Sequence, residues 1–202
     1  MTQDATRIEV APLTLATFSA FEALFEAAAS PCACRYWHFE GNKNAWLDRC
    51  AHDRGANFAE QRAALEAGHP SAEGLLARDA AAGPEEAALG WMKLTARAAL
   101  PKMRSLPVYR GLDLGPEDTT WAVGCFLVHP AARGRGVARA LLGAAEAHAR
   151  SRGARAIEGY PRRSAEPIHD EEVWQGPERL FVEAGFTVVH DVAPYPVYRK
   201  VL

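Results

Sequence analysis

The stretch at residues 121–160, WAVGCFLVHPAARGRGVARALLGAAEAHARSRGARAIEGY, decides the fold of this chain. Its first eight residues are rich in β-branched and aromatic side chains and stop just before Pro130, which predicts a strand. Apolar side chains recur at helical spacing over 137–150, and Gly153 ends that helix. A second strand is predicted at 154–160. The two strands then form a parallel pair joined by a right-handed helical crossover.

The loop that precedes the helix contains two glycines and two arginines. Glycines allow the backbone to approach a ligand, and the first amides of a helix have no partner inside it. Amides at the positive end of a helix dipole bind anions, and residues 133–163 hold eight arginines against two glutamates. We therefore predict a phosphate-bearing ligand. Its predicted contacts are Arg133, Gly134, Arg135, Gly136, Val137 and Ala138.

Several interpretations of this loop's ligand were compared. A P-loop requires a lysine and a hydroxyl residue after its last glycine, and neither follows Gly136. A dinucleotide site is a partial match, because Gly134 and Gly136 open a helix and Glu158 lies where a ribose-binding acid is expected. However, Arg139 occupies the third glycine position of that fingerprint. An arginine-rich surface turn without any ligand is the plain alternative.

The pattern Arg133-x-x-Gly136-x-Ala138, placed after a strand and a proline, resembles the [Q/R]-x-x-G-x-[G/A] segment of the GNAT acetyltransferase superfamily. The resemblance implies that the loop amides hold the pyrophosphate of acetyl-CoA. It also implies that the edge of the preceding strand pairs with the pantetheine arm, as an added strand would. The residues of that edge are Phe126, Leu127 and Val128.

The resemblance extends over residues 7–202 and implies an α/β (α+β) fold. The expected sheet is mixed and mostly antiparallel, has six to seven strands with a central parallel pair, and is flanked by helices. We expect a single domain over 1–202. Its parts are an acceptor-side half at 7–100, a CoA-binding core at 119–160, and a C-terminal helix and strands at 161–202. Residue patterns outside the core predict strands at 7–13, 74–79, 88–95, 186–191 and 198–202, helices at 14–29, 57–67 and 178–184, and a long loop at 97–118.

Residues 31–52, PCACRYWHFEGNKNAWLDRCAH, combine cysteines, histidines and aromatic side chains. The C-x-C and C-x-H spacings differ from the paired C-x2-4-C of zinc sites, so no metal is predicted. Cys32, Cys34 and Cys50, with Cys125, are expected to stay reduced in a cytoplasmic protein. The aromatic residues are predicted either to line an acceptor pocket or to belong to the core. The candidates for that pocket are Tyr36 and Trp37, together with Trp174.

Composition and charge restrict the class of protein. The chain has 202 residues, 49% of them hydrophobic, and a formal net charge of −2. This charge argues against a general nucleic-acid or membrane binder. No run approaches about 18 apolar residues and the N-terminal residues show no secretory pattern, so a cytoplasmic protein is expected. The sequence does not decide between a monomer and a homodimer.

Acetyl transfer requires an amine to attack the thioester, a group to accept its proton, and assistance for the leaving thiolate. Many GNAT enzymes place a proton-donating tyrosine four residues before a Gly-Phe pair, and here Phe181 stands at that position. Tyr160 is the first substitute, followed by Tyr198 and Cys125. Glu158 is the candidate base, although one carboxylate on a strand is more often the structural partner of an arginine.

The function that the resemblance implies is transfer of an acetyl group from acetyl-CoA to a primary amine of a small molecule or peptide. Direct attack in a ternary complex is favoured over a cysteine-bound intermediate. The alternative is a module that binds acyl-CoA as a sensor and catalyses nothing, and the phenylalanine at position 181 favours that alternative. The sequence does not identify the acceptor.

Overall fold

The computed structural model describes residues 7–83, 86–166, 169 and 172–202, with the main chain alone at residues 104 and 105. Seven strands form one mixed sheet. In chain order they are β1 (Ile8–Pro12), β2 (Gly74–Asp79), β3 (Gly90–Ala96), β4 (Thr120–Val128), β5 (Ala156–Gly159), β6 (Thr187–His190) and β7 (Val197–Val201). Their order across the sheet is β1-β2-β3-β4-β5-β7-β6. Only β4 and β5 run parallel, which confirms the predicted architecture.

Six α-helices flank this sheet in the described part of the chain. They are α1 (Phe18–Ala27), α2 (Lys43–His52), α3 (Arg54–Glu66), α4 (Pro101–Ser105), α5 (Val137–Ser151) and α6 (Glu178–Glu183). None of them is long and apolar enough to cross a membrane.

The parallel pair of strands is short. Thr120–Ala122 of β4 lie beside Ala156–Glu158 of β5, and no further residues of the two strands pair. Strand β4 continues to Val128, whereas β5 ends at Gly159. The two strands therefore part after three residues, and the outer edge of β4 is left open to another partner.

A bulge interrupts β4 just beyond this point. Lys93 of β3 lies opposite Cys125 and Leu94 lies opposite Val123, so Gly124 is the extra residue. A Cβ at position 124 would lie 2.9 Å from Lys93 Cγ and 3.0 Å from Trp37 Nε1, which leaves room for glycine alone. The bulge lies four residues before Val128, the last residue of β4.

The two faces of the sheet bury different layers. Helix α5 packs across β1, β2, β3 and β4, because its apolar stripe points at the sheet. The buried residues of that stripe are Val137, Leu141, Leu142, Ala145 and Ala149. The opposite face carries α1 and the aromatic residues that follow it, which form two further buried clusters.

Two helices were not predicted from the sequence. Helix α2 lies inside residues 31–52, where Asn42 caps it by accepting a hydrogen bond from Ala45 N at 3.0 Å. It buries only Trp46, so it has no apolar stripe to reveal it. Helix α4 occupies five residues of the predicted long loop at 97–118, too few for helical periodicity to show.

The expectation of four reduced cysteines is wrong for two of them. Cys34 and Cys125 form a disulfide across 91 residues of sequence, whereas Cys32 and Cys50 are free. The fold joins the pair because the turn after α1 lies against the start of the open part of β4. Sequence spacing carries no information about a contact of this range.

Gly159, the last residue of β5, provides a test of core packing. A methyl group there would overlap the fully buried Phe181 ring, so Gly159→Ala should lower the free energy of unfolding by about 1–3 kcal/mol. Gly143→Ala is the matched control, because Gly143 lies in α5 with no atom near its missing Cβ. That control should gain up to about 1 kcal/mol in chemical denaturation. Equal stability of the two variants would contradict the packing described.

Candidate active site

The loop between β4 and α5 exposes main-chain amides around two glycines. Gly134 has φ +74° and Gly136 has φ +83°, the left-handed region that glycine adopts without strain. Apart from the chain neighbours of each glycine, no atom of the described residues lies within 4 Å of a Cβ built on either one. All four residues from 133 to 136 are exposed. The loop is therefore an open cradle of backbone that a ligand can approach closely.

The start of α5 is suited to an anion. Gly136 is its N-cap, and no side chain caps the helix there. The carbonyl of Gly136 accepts the hydrogen bond of Ala140 N at 2.9 Å, and the amides before Ala140 precede the helical ladder. The first turn has no acidic residue. The positive end of the helix dipole is thus left for a negatively charged ligand.

The open edge of β4 is covered in part by the chain itself. Phe126 N donates to the carbonyl of Trp174 at 2.6 Å, so a segment between β5 and α6 pairs where β5 has diverged. Gly176 lets this segment approach closely, because a Cβ there would lie 2.9 Å from the Phe126 ring. Two residues on, the N–H of Val128 points to the same edge by the alternation of a strand.

The three residues predicted to line the acceptor pocket lie together. The ring centroids of Tyr36 and Trp37 are 5.3 Å apart, those of Trp37 and Trp174 5.5 Å, and those of Tyr36 and Trp174 6.4 Å. Trp37 is buried, whereas Tyr36 and Trp174 are partly exposed. The Trp37 indole donates to the carbonyl of Gly124 at 3.1 Å, which ties this aromatic cluster to the bulge of β4.

Lys102, in α4, lies at the rim of the aromatic cluster. Its ammonium is 4.7 Å from the ring centroid of Tyr36 and 5.2 Å from that of Phe39. It also donates to the carbonyls of Phe39 and Gly41 at 2.8 and 3.1 Å. Burial lowers the pKa of Lys102. The contacts show that aromatic faces and carbonyls on this side of the protein can hold a cationic amine.

Glu158, the candidate base, belongs to a buried ion network. Its carboxylate is fully buried and accepts from Arg97 Nη1 at 2.7 Å and from Arg199 Nη2 at 2.5 Å. The Tyr160 hydroxyl donates to the same carboxylate at 2.6 Å. Both arginines also donate to the carbonyl of Leu114. Glu158 is therefore a structural partner of two arginines, which is the alternative to a catalytic base that the sequence analysis gave.

The candidate proton donors are engaged elsewhere. Tyr160 is fully buried, and burial together with the Glu158 carboxylate raises its pKa well above the ordinary value. The Tyr198 hydroxyl donates to Glu178 at 2.5 Å. Cys125 carries no thiol proton while it is bonded to Cys34. None of the three hydroxyl or sulfur groups therefore points at the open edge of β4 as a free acid.

Several polar side chains near the aromatic cluster were not predicted from the sequence. Tyr109, from the long loop, has a buried hydroxyl for which the described residues supply no hydrogen-bond partner, and its ring lies 5.4 Å from that of Tyr160. Arg97 and Arg199 were not recognised as the partners of Glu158. Their contacts join separate elements, so no local pattern marks them. Among the described residues, no group of three or more His, Cys, Asp or Glu side chains is arranged to hold a metal ion.

A polar cluster lies behind the aromatic residues. Lys93 is fully buried and donates to the carbonyl of Ser71, and Arg35 donates to that carbonyl as well. His38 lies close to both cations. Burial first, then the charges of Lys93, Arg35 and His69, lower the pKa of His38 to about 2. His38 is therefore neutral in the folded protein at any ordinary pH.

Comparison with known proteins finds a family match over part of the chain and several structures of similar fold. Residues 103–165 match the family model described as Acetyltransferase (GNAT) family. A GNAT-family acetyltransferase from Listeria monocytogenes 4b F2365 has a TM-score of 0.57 and 15% identity, over 100% of this chain and 99% of that chain. The PaiA N-acetyltransferase of Thermoplasma acidophilum, in complex with coenzyme A, has a TM-score of 0.55 and 12% identity, over 97% and 99%.

A third structure, YncA of Salmonella typhimurium with its cofactor acetyl-CoA, has a TM-score of 0.53 and 14% identity, over 96% of this chain and 94% of that one. No curated protein matches the chain. Identities this low show a shared fold. The fold is thus one that these acetyltransferases share. With the family match at 103–165, they confirm the predicted resemblance to the GNAT superfamily and support acetyltransferase at the level of the family.

The buried network makes Glu158 a test of stability. Glu158→Gln removes the charge that two arginines share, so we expect the free energy of unfolding to fall by about 3–5 kcal/mol in chemical denaturation. Glu183→Gln is the control, because its ion pair with Arg139 is exposed and should change stability by less than about 1 kcal/mol. Similar values for the two variants would contradict the structural role of Glu158.

His38 predicts how stability depends on pH. Between pH 6.5 and about 2 the unfolded chain binds a proton at this residue that the folded protein does not, so stability falls as the pH is lowered. The contribution is at most about 1.4 kcal/mol per pH unit. His38→Gln should flatten the profile, measured by denaturation from pH 7.5 to 5. His52→Gln, at a site whose side chain is 77% exposed, should not. Identical slopes in all three proteins would refute the assignment.

Proposed function

We propose that this protein binds acetyl-CoA and transfers the acetyl group to a primary amine of a small molecule or peptide. The observation that carries the proposal is the parting of β4 from β5 beside an uncapped, glycine-lined start of α5. Diphosphate oxygens match the main-chain amides at the glycine-lined start of α5. Related folds from Thermoplasma and Salmonella hold CoA and acetyl-CoA, which supports the same ligand here.

The pantetheine arm is proposed to follow the outer edge of β4. Phe126, Leu127 and Val128 supply the main chain of that edge, and an amide-bearing chain can pair with it as an added strand. Phe126 N is bonded to the Trp174 carbonyl in this structure. Acyl-CoA entry along the whole edge therefore requires Trp174 to give up that hydrogen bond, so we expect this segment to move when the ligand binds.

The acceptor is proposed to enter from the aromatic side. Tyr36, Trp37 and Trp174 lie on the face of the sheet opposite α5, and the same region already holds the ammonium of Lys102. A small amine or a lysine side chain meets the same chemistry there. Direct attack on the thioester by a neutral amine then needs both substrates held in one cleft, and this positioning supplies much of the rate.

Proton transfer is proposed to involve neither Phe181 nor the buried Glu158 network. The Phe181 ring is fully buried among Phe126, Phe186 and Tyr198 and has no proton to donate. The thiolate of CoA is a good leaving group, since its pKa is close to that of an ordinary thiol. We propose that it departs into solvent and that water accepts the proton of the amine.

The CoA loop is tested by two glycines at opposite ends of α5. Gly136→Ala and Gly153→Ala both place a methyl group at a left-handed position with open space around it. Both should cost similar stability, but only Gly136→Ala should weaken CoA binding, by about tenfold or more, in isothermal titration calorimetry. Equal affinity of the wild type and Gly136→Ala for CoA would contradict the proposed phosphate cradle.

Catalysis is tested separately from binding. Incubation with acetyl-CoA and a panel of primary amines and lysine peptides should yield acetylated product by mass spectrometry, at a rate above that of the mixture without protein. Arg150→Ala, on the far part of α5, is the control for general surface charge and should not alter that rate. Tight CoA binding with no acetylated product from any amine would favour the acyl-CoA sensor instead.

A further inference from the structure

All four cysteines lie on or near the aromatic side of the sheet, and the proposed reaction uses none of them. Cys34 and Cys125 are bonded and are 3% and 8% exposed. Cys32 and Cys50 are free and partly exposed. Burial raises the pKa of Cys50, and the nearby Cys32 raises it further. The region thus holds one buried disulfide and two more accessible thiols.

Cys32 lies beside the main chain of Cys34, one of the two residues of the disulfide. Its sulfur accepts a hydrogen bond from the main-chain amide of Cys34 at 3.4 Å and lies 3.4 Å from Ser30 Oγ. Cys50 instead accepts from Asn57 Nδ2 at 3.8 Å. Of the two free thiols, Cys32 is therefore the one whose sulfur contacts a residue of the disulfide. Cys32 is also partly exposed, so a small thiol can reach it although the disulfide itself is buried.

The backbone around the C-x-C sequence is held in an unfavourable conformation. Ala33 has φ +40° and Cys34 has φ +58°, two successive left-handed residues that are not glycine. Such positions cost of order 1 kcal/mol or more each, and surrounding packing must hold them. Ala33 is fully buried, and Cys34 is tied to β4. Opening the bond to β4 would relieve part of this constraint.

We propose that Cys32, Cys34 and Cys125 form a thiol–disulfide exchange site that takes small-molecule thiols and disulfides. The Cys32 thiolate attacks Cys34 Sγ, a Cys32–Cys34 bond forms, and Cys125 leaves as a thiolate that takes a proton from solvent. A small thiol then attacks Cys32 Sγ and releases Cys34. A second small thiol attacks the small-molecule sulfur that is bonded to Cys32. This step frees the Cys32 thiol and forms the small disulfide. Two small thiols are thereby oxidised while one protein disulfide is reduced, and the reverse steps oxidise the protein.

The exchange would act on the strand that carries the proposed ligand edge. Cys125 directly precedes Phe126, and Gly124 before it accepts the hydrogen bond of Trp37. Opening the disulfide removes the covalent link between the segment after α1 and β4 and leaves the hydrogen bond of Trp37 to Gly124 in place. The site would in this way adjust the acceptor side according to the thiol balance around the protein.

The test uses glutathione as the small thiol and needs no acyl-CoA, so its result is independent of the proposed acetyl transfer. Protein purified without reductant is mixed with reduced glutathione, quenched with acid, alkylated, and mapped by peptide mass spectrometry. We expect Cys125 to become alkylated with time. Cys32→Ser should slow this step by about tenfold or more, because the intramolecular attack is lost. Cys50→Ser is the matched control and should retain the wild-type rate.

A second variant protects the test against a folding defect. Cys125→Ser leaves Cys34 without its strand partner, and we expect oxidised glutathione to convert Cys32 and Cys34 into a disulfide. Circular dichroism verifies that each variant is folded. Two results would overturn the proposal: Cys32→Ser reduced as fast as the wild type, or Cys34 and Cys125 fully alkylatable in protein purified without reductant.

Discussion

Three residues of parallel pairing hold the two parts of this sheet together. Strands β1 to β4 lie on one side of the seam and β5, β7 and β6 on the other. In the described residues, the only strand pairing between the two sides is Thr120–Ala122 against Ala156–Glu158. The ion pair of Arg97 with Glu158 crosses the same seam, because Arg97 follows β3 and Glu158 lies in β5. Its burial makes it costly to break. A short seam fastened in this way lets the strands part beyond it without separating the sheet.

The proposed site follows from that parting. Beyond Ala122 the edge of β4 is no longer paired with β5, and the bulge at Gly124 shifts its register with β3. The far end of this edge leads to the glycine loop at the start of α5, and the face of the sheet opposite α5 carries the aromatic cluster of Tyr36, Trp37 and Trp174. A ligand with a diphosphate at one end and a thioester at the other matches this division, since its charged end and its reactive end need different surroundings.

The sequence predicts the centre of the fold well and its periphery less well, for physical reasons. Strand β4 and helix α5 were placed within one residue, because apolar periodicity and glycine stops act locally. Helix α2 was missed because its one buried side chain gives no stripe. The bulge, the partners of Glu158 and the disulfide of Cys34 depend on contacts between distant segments. Local patterns do not encode such contacts.

The same distinction separates the two parts of the site. The phosphate cradle is a property of six consecutive residues, so the motif that predicts it also contains it. The proposed acceptor side is assembled from α4, the segment after α1 and the segment before α6, which meet through side-chain packing and the hydrogen bonds of Lys102. The disulfide of Cys34 with Cys125, the bond from Trp37 to Gly124 and the bond from Phe126 to Trp174 join this assembly to β4. Because one of these links is covalent and breaks by thiol chemistry, the proposed exchange site would make the position of the acceptor side depend on redox conditions, and that of the phosphate cradle would not.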